Sequence, residues 1–210
     1  MHPELLRLAQ RYPDIESAIP AVESAIELLR ASFRAGGKLL ICGNGGSASD
    51  SDHIVGELMK GFELKRPVSA DLRERLTKID AERGNYLADR LQGALPAISL
   101  SAHAALTSAI SNDTAGDMIY AQQVLGFGGP NDVLLGISTS GNSANVLNAL
   151  HVARAVGVKT LGLTGRTGGF MRDLCDVAIC VPYDRTSDIQ ERHLAIYHSL
   201  CIVLELEFFG

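Results

Sequence analysis

The stretch DVLLGISTSGNS (residues 132–143) joins an apolar run to a group of four hydroxyl side chains. A second stretch, KLLICGNGGS (residues 38–47), has the same plan and also precedes a helical pattern. Backbone N–H groups at the start of a helix, together with the helix dipole, favour a bound anion. The sequence therefore predicts two anion-binding turns at strand ends, although a plain tight turn would explain either one alone.

The two stretches belong to an alternating pattern of strands and helices. Apolar runs predict five strands, at 38–42, 97–100, 132–137, 159–164 and 177–181. Helical patterns lie between and after them, at about 47–62, 104–111, 118–125, 144–156 and 187–208, with Asn112-Asp113 joining the second and third of these. Continuous apolar strands indicate a parallel sheet covered on both faces, and hence an α/β fold. Ligands of such sheets bind beyond the carboxyl ends of the strands, where both turns lie.

A chain of 210 residues is predicted to form one domain, 1–210. Apolar residues at helical spacing predict an N-terminal helical segment over about 1–35, interrupted by Pro13 and Pro20. Residues 63–93 are rich in charge and carry a weak helical stripe, which predicts one or two surface helices. That segment could cover a site or a partner, or it could be a solvated excursion with a minor packing role.

Composition excludes several classes of function. The net charge of -5, without a Lys/Arg cluster, argues against binding to nucleic acid. The longest apolar runs are shorter than the ~20 residues needed to span a bilayer, so we expect no membrane association. The N-terminal residues do not resemble a signal peptide. The four cysteines form no C-x-x-C pair, and Cys42, Cys180 and Cys201, in apolar runs, are most simply buried thiols. This usage favours a reducing cytoplasm.

Two histidines and one glutamate are candidates for chemistry. His53 and Glu57 are four residues apart on one predicted helix, so they share a face and could bind a divalent metal or act as a base with its orienter. The alternative is a hydrogen-bonded surface pair. His198 lies in the apolar stripe of the last helix and could instead be a core histidine. It is about 12 Å along the helix axis from Gln190, so both reach one point only by leaning together or by serving different subunits.

These motifs, in this order along the chain, resemble the sugar isomerase (SIS) domain family. The resemblance is carried by CGNGGS (42–47), His53, Glu57, Asn112-Asp113, DVLLGISTSGNS (132–143), Leu163-Thr164-Gly165, Ile189-Gln190-Glu191 and His198. It is strongest with the branch that interconverts sedoheptulose 7-phosphate and D-glycero-D-manno-heptose 7-phosphate. It implies a flavodoxin-like three-layer αβα sandwich with five parallel strands. It also implies a cytoplasmic homotetramer with active sites between subunits, acting on a sugar phosphate at the start of nucleotide-activated heptose synthesis.

The resemblance also implies a role for particular residues. Catalysis is expected from Glu57 and His198. A zinc ion, where family members bind one, corresponds to the ligands His53, Glu57, Gln190 and His198. Substrate binding is expected from the two turns and from polar residues elsewhere: Asn44, Gly45, Ser47, Asn112, Asp113, Ser138, Thr139, Ser140, Ser143 and Gln190. For Asn112-Asp113, a simple turn and helix cap is the alternative reading.

The chain departs from the family pattern in two places. It carries a longer segment between Pro67 and Pro96, which could change substrate size or bury the site. Ser187 stands where the family has an aspartate three residues before the glutamine. A rival function is a non-catalytic SIS module that senses phosphosugars or associates with a partner such as a replication initiator. The presence of Glu57 and His198 together favours the enzyme.

The expected reaction moves a proton between C1 and C2 of the sugar through an enediol(ate), which needs a base near carbon and an acid at oxygen. Glu57 is the candidate base and His198 the partner at oxygen. A metal at the same residues would instead polarise the carbonyl group as a Lewis acid. Glu57 cannot readily be a full metal ligand and a free base at once, so the sequence leaves both mechanisms open.

Overall fold

Five parallel strands form one sheet in the order β2-β1-β3-β4-β5. A computed structural model describes residues 2–210, and its strands are β1 (Leu39–Gly43), β2 (Ala97–Ser99), β3 (Val133–Ser138), β4 (Lys159–Thr164) and β5 (Val177–Cys180). Each strand lies within the run predicted from the sequence or extends one residue beyond it. The predicted α/β sandwich around a five-stranded parallel sheet is confirmed.

Ten α-helices surround the sheet in the described part of the chain: α1 (Pro3–Arg11), α2 (Ile19–Arg34), α3 (Gly46–Met59), α4 (Ala70–Ile79), α5 (Ala81–Arg90), α6 (Ala104–Asp113), α7 (Ile119–Phe127), α8 (Ala144–Ala155), α9 (Met171–Leu174) and α10 (Thr186–Phe209). Short 3₁₀ helices span Pro13–Ala18 and Gly116–Met118. Asn112 and Asp113 end α6, so the prediction that they join two helices was wrong. The helix continues two residues beyond the end that the apolar spacing indicated, because its hydrogen bonds do not depend on apolar side chains. No helix in residues 2–210 has the length and apolarity to cross a membrane.

Side chains of the central strands alternate between two apolar layers. Leu39 and Ile41 of β1 pack with residues of α1, α2 and α10, whereas Leu40 and Cys42 pack with residues of α7 and α8. This alternation follows from the two-residue period of a strand. Because both layers are buried, the strand reads as a continuous apolar run rather than an alternating one.

The strand order reverses direction between β1 and β3. The chain passes from β1 to β2 on one side and from β3 to β4 on the other, which opens a crevice at the carboxyl ends of these two central strands. The turns after β1 and β3 are the two polar stretches predicted to bind an anion. The topology therefore brings both of them to one crevice.

Residues 63–93 contain α4 and α5, which pack mainly against each other. Ser69 and Asp80 cap the two helices through their side-chain oxygens. Ile79, at the end of α4, is 84% exposed. The role of this helix pair stays a prediction. The organisation of the chain as one domain, with an N-terminal segment to about residue 35 and an insertion over about 63–93, also stays a prediction.

Candidate active site

A cavity of about 320 Å³ opens at the carboxyl ends of β1 and β3. We call it the hydroxyl cavity. Glycine, hydroxyl and amide groups dominate its lining, which consists of Asn44, Gly45, Gly46, Ser47, Ile137, Ser138, Thr139, Ser143, Thr186 and Gln190. None of these residues is charged. The structure thus brings together seven of the predicted substrate-binding residues, and any anion held here would be held by hydrogen bonds and helix dipoles.

The second turn gathers its hydroxyl groups around Ser138. Ser138 Oγ is 3.0 Å from Ser143 Oγ and 3.5 Å from Ser140 Oγ, and its side chain is nearly buried. Gly141 makes the bend possible, since it has φ +67° and a Cβ there would lie 2.0 Å from the carbonyl oxygen of Gly168. The tight turn holds three hydroxyl groups within reach of one another.

The first turn is tied to α8 and α7 by residues that sequence reasoning did not select. The side-chain amides of Asn44 and Asn145 donate to each other over 2.9 Å in both directions. The Tyr120 hydroxyl donates to the carbonyl oxygen of Gly43. Asn145 lies two residues beyond the second polar stretch and could have been found there, whereas Tyr120 has no local signal.

Asn112 and Asp113 do not line the hydroxyl cavity. Both are exposed at the end of α6, where the Asn112 amide donates to Asp113 Oδ1 over 2.8 Å. Their predicted contact with substrate stays a prediction.

Three side chains meet between α3 and α10, and we call them the histidine cluster. His53 Nε2 lies 3.1 Å from Glu57 Oε1 and 3.4 Å from His198 Nε2. Glu57 Oε2 is buried and lacks a hydrogen-bond partner in the described chain. Burial, and then the proximity of His53, lower the pKa of His198, while Glu57 partly opposes the shift. A neutral His198 is thereby favoured near pH 7.

The hydroxyl cavity and the histidine cluster lie along the same pair of parallel helices. At the start of α3 and α10, a Cβ on Gly46 would be 2.5 Å from the amide nitrogen of Gln190. The two histidines of the cluster, His53 and His198, follow seven and eight residues later, which is about 11 Å along the axes. This separation is comparable to the length of an extended sugar phosphate. Gln190 belongs to the cavity rather than to the cluster.

The side chains of the histidine cluster can be compared with the ligands that a zinc ion requires. His53, Glu57 and His198 are of the kinds that bind zinc. Glu57 Oε2 accepts no hydrogen bond, and Lys60 Nζ lies 3.9 Å from it. However, no group of three or more His, Cys, Asp or Glu side chains within residues 2–210 has the arrangement of a metal site. Three of the four implied ligands therefore fit in kind, but they contact each other, and Gln190 stands apart.

A buried ion pair holds the end of α3 next to the cluster. Glu205 accepts hydrogen bonds from the backbone N–H groups of Phe62 and Glu63, both 2.8 Å, and from Arg66 Nε at 2.7 Å. Arg66, 1% exposed, donates in turn to the Glu57 carbonyl oxygen at 3.0 Å. Burial alone would raise the pKa of Glu205, but these hydrogen bonds and the charge of Arg66 lower it. The sequence carried no signal for this long-range pair.

The fold is that of an SIS domain. The family model for this domain matches residues 9–88 and 81–165. The chain belongs to the SIS domain family.

Within that family, its relatives are phosphoheptose isomerases. The chain is 34% identical over 207 residues to the phosphoheptose isomerase of Akkermansia muciniphila, covering 99% of this chain and 96% of that protein. It is 41% identical over 186 residues to that of Rhodospirillum rubrum, covering 89% and 85%. The solved structure of phosphoheptose isomerase GmhA from Neisseria gonorrhoeae superposes with a TM-score of 0.73 at 32% identity, covering 96% and 93%. These similarities place the chain in the phosphoheptose isomerase branch of the family.

Proposed function

We propose that this protein is a ketose–aldose isomerase that converts sedoheptulose 7-phosphate to D-glycero-D-manno-heptose 7-phosphate through an enediol(ate). The observation that carries the proposal is the histidine cluster, which lies about 11 Å along α3 and α10 from the hydroxyl cavity. The relatives named phosphoheptose isomerase support it. As in the branch it resembles, the reaction would begin the synthesis of nucleotide-activated heptose.

The hydroxyl cavity would hold the phosphate group. Ser138, Ser140 and Ser143 offer hydroxyl groups, and the N-termini of α3 and α8 offer backbone N–H groups. Each hydrogen bond to a charged group is worth roughly 1.5–3 kcal/mol. The energy gained at the phosphate end would orient the reacting end of the sugar against the histidine cluster.

The histidine cluster would move the protons. Glu57 would take a proton from one carbon and return it to the neighbouring carbon, and His198 would transfer the proton between the carbonyl and hydroxyl oxygens. The lowered pKa of His198 suits this role, because a group that both accepts and donates near pH 7 must not be held permanently charged.

We also propose that zinc binds at His53, Glu57 and His198, with Gln190 as the fourth residue implied by the family. The donor types of the cluster support this proposal, and Gln190 would have to leave its contact with Gly46 or be supplied by another subunit. Bound zinc would supply Lewis-acid polarisation of the substrate carbonyl.

We further propose a homotetramer with active sites between subunits. A groove of about 220 Å³ between α1 and α10 reaches His198, and Leu194 on its wall is 40% exposed. A neighbouring subunit seated there would cover both and exclude water from the cluster. Sedimentation at micromolar concentration would test the state, and a monomer would contradict it. The free thiols of the chain support a cytoplasmic location.

A non-catalytic SIS module remains the rival, and the relatives do not favour it. A coupled assay on sedoheptulose 7-phosphate, with zinc analysis of the same sample, separates the two. Turnover supports the isomerase, whereas a folded protein without turnover contradicts it.

His53→Ala then separates the two mechanisms. If zinc is required, this variant should lose zinc and nearly all activity, and chelation should inactivate the native protein. If Glu57 acts as a metal-free base, the native protein should survive chelation, and His53→Ala should keep substantial activity.

A further inference from the structure

The Tyr197 hydroxyl lies between a carboxylate and the ring nitrogen of His53 that faces away from the histidine cluster. It donates to Asp50 Oδ1 over 3.1 Å and lies 3.0 Å from His53 Nδ1. Tyr197 is 1% exposed, and its ring stands edge-on to the His53 ring at 5.4 Å between centroids. A continuous line of contacts thus runs from Asp50 through Tyr197 to His53.

Counting protons along this line assigns the tautomer of His53. A carboxylate only accepts hydrogen bonds, so the single hydroxyl proton of Tyr197 points at Asp50. The phenolic oxygen then accepts from His53, which requires a proton on Nδ1. The other ring nitrogen, Nε2, then faces Glu57 Oε1 at 3.1 Å and His198 Nε2 at 3.4 Å.

We propose that Tyr197 and Asp50 are positioning residues that hold the His53 ring through a protonated Nδ1, so that Nε2 faces Glu57 and His198. The inference rests on the proposed isomerase function and deepens it. Without the contact at Nδ1, the His53 ring would be free to rotate about its Cβ–Cγ bond, and Nε2 would no longer be fixed against Glu57 and His198.

Packing alone does not account for Asp50. Its Oδ2 is buried without a hydrogen-bond partner in the described chain. A buried polar atom left unsatisfied lowers stability, so the carboxylate is a costly way to fill space. Its one hydrogen bond is to Tyr197, which is what the orientation of His53 requires.

Tyr197→Phe removes only the hydroxyl group, and the chain offers a matched control. Tyr183 also donates to an aspartate, Asp14, over 2.7 Å, away from the cluster. Tyr197→Phe should lower kcat for sedoheptulose 7-phosphate by about 10- to 100-fold, the range for losing a partner that orients a site histidine, with KM unchanged. Tyr183→Phe should leave both constants unchanged. An unchanged kcat in Tyr197→Phe overturns the proposal.

A double-mutant cycle tests whether Tyr197 acts through His53. Under single-turnover conditions with enzyme in excess, adding Tyr197→Phe to His53→Ala should cause no further loss of rate. The same fold loss in both backgrounds would assign Tyr197 a role independent of His53 and would overturn the proposal.

Nitrogen-15 NMR of histidine-labelled protein decides the question without turnover. The ring signals that disappear in His53→Ala should show Nδ1 protonation in the native protein, and this pattern should be lost in Tyr197→Phe but kept in Tyr183→Phe. A native His53 protonated at Nε2 alone overturns the positioning role. Native protein that shows the expected tautomer but does not turn over contradicts the isomerase function instead.

Discussion

The hydroxyl cavity and the histidine cluster are built by different means. Most of the cavity lining comes from two turns of a few residues each, in which Gly45 and Gly141 adopt positive φ. The cluster needs α3 and α10, which are more than a hundred residues apart in the chain, to pack side by side. Local sequence specifies each turn of the cavity, whereas the completed core is needed to bring the two turns together and to form the cluster.

The difference predicts how each region responds to substitution. Loss of a hydroxyl group in the cavity should weaken binding without affecting the fold. Loss of a residue in or beneath the cluster should affect chemistry, stability or both, because those side chains depend on buried long-range contacts.

The largest effect is expected at Glu57. Glu57→Gln keeps the size of the side chain but removes its basicity, so kcat should fall by about 10²- to 10⁴-fold in the coupled isomerase assay. Exposed Glu82, on α5, provides the control Glu82→Gln with native kcat. Full activity in Glu57→Gln would contradict the assignment of the chemistry to the histidine cluster. It would favour the non-catalytic SIS module instead.

Arg66→Met tests the support beneath the cluster. It leaves the Glu205 carboxylate buried and unpaired, and the free energy of unfolding in urea should fall by about 3–5 kcal/mol. The matched surface pair is Arg75 and Asp71, whose side chains are mostly exposed. Arg75→Met should lower the free energy of unfolding by less than about 1 kcal/mol. Equal losses in the two variants would show that Arg66 does not anchor the end of α3.

Ser143→Ala tests the hydroxyl cavity. It removes one hydroxyl group from the cavity, and KM should rise roughly ten- to hundredfold, equivalent to about 1.5–3 kcal/mol, with kcat and thermal midpoint nearly native. Ser24→Ala, on the exposed face of α2, is the control. An unchanged KM in a folded Ser143→Ala protein would contradict the assignment of the substrate phosphate group to this cavity.

The last prediction concerns pH dependence and His193, which lies on α10 between the two regions. Burial lowers its pKa to about 4, although a hydrogen bond with the Thr164 carbonyl oxygen opposes the shift. The unfolded chain binds this proton near the ordinary value of 6.5. Stability is therefore full above that pH and is lost as pH falls toward 4, by at most about 1.4 kcal/mol per pH unit.

Urea unfolding at several pH values between 7 and 4 measures this loss. His193→Gln should show a shallower dependence than the native protein, and His151→Gln, at an exposed position, should show the native one. Parallel curves for the native protein and His193→Gln would mean that burial of His193 does not govern stability in this range.

Much of the fold could be read from the sequence because its signals are local. The strand runs, the proline breaks and the two polar turns depend on residues that are neighbours in the chain. The i,i+4 spacing of His53 and Glu57 likewise predicted one helix face, and the structure places Nε2 and Oε1 within 3.1 Å. His198 joined them through family resemblance, since its own spacing also allowed a core histidine.

Tertiary structure alone decided how the helices meet. The parallel packing of α3 on α10 sets His198 against His53, seats Gln190 at the cavity, and places Tyr197 between His53 and Asp50. The Arg66–Glu205 pair spans 139 positions and left no mark in either local pattern. Such contacts arise when distant apolar faces are buried together, and the polar groups carried with them must then find partners inside the core.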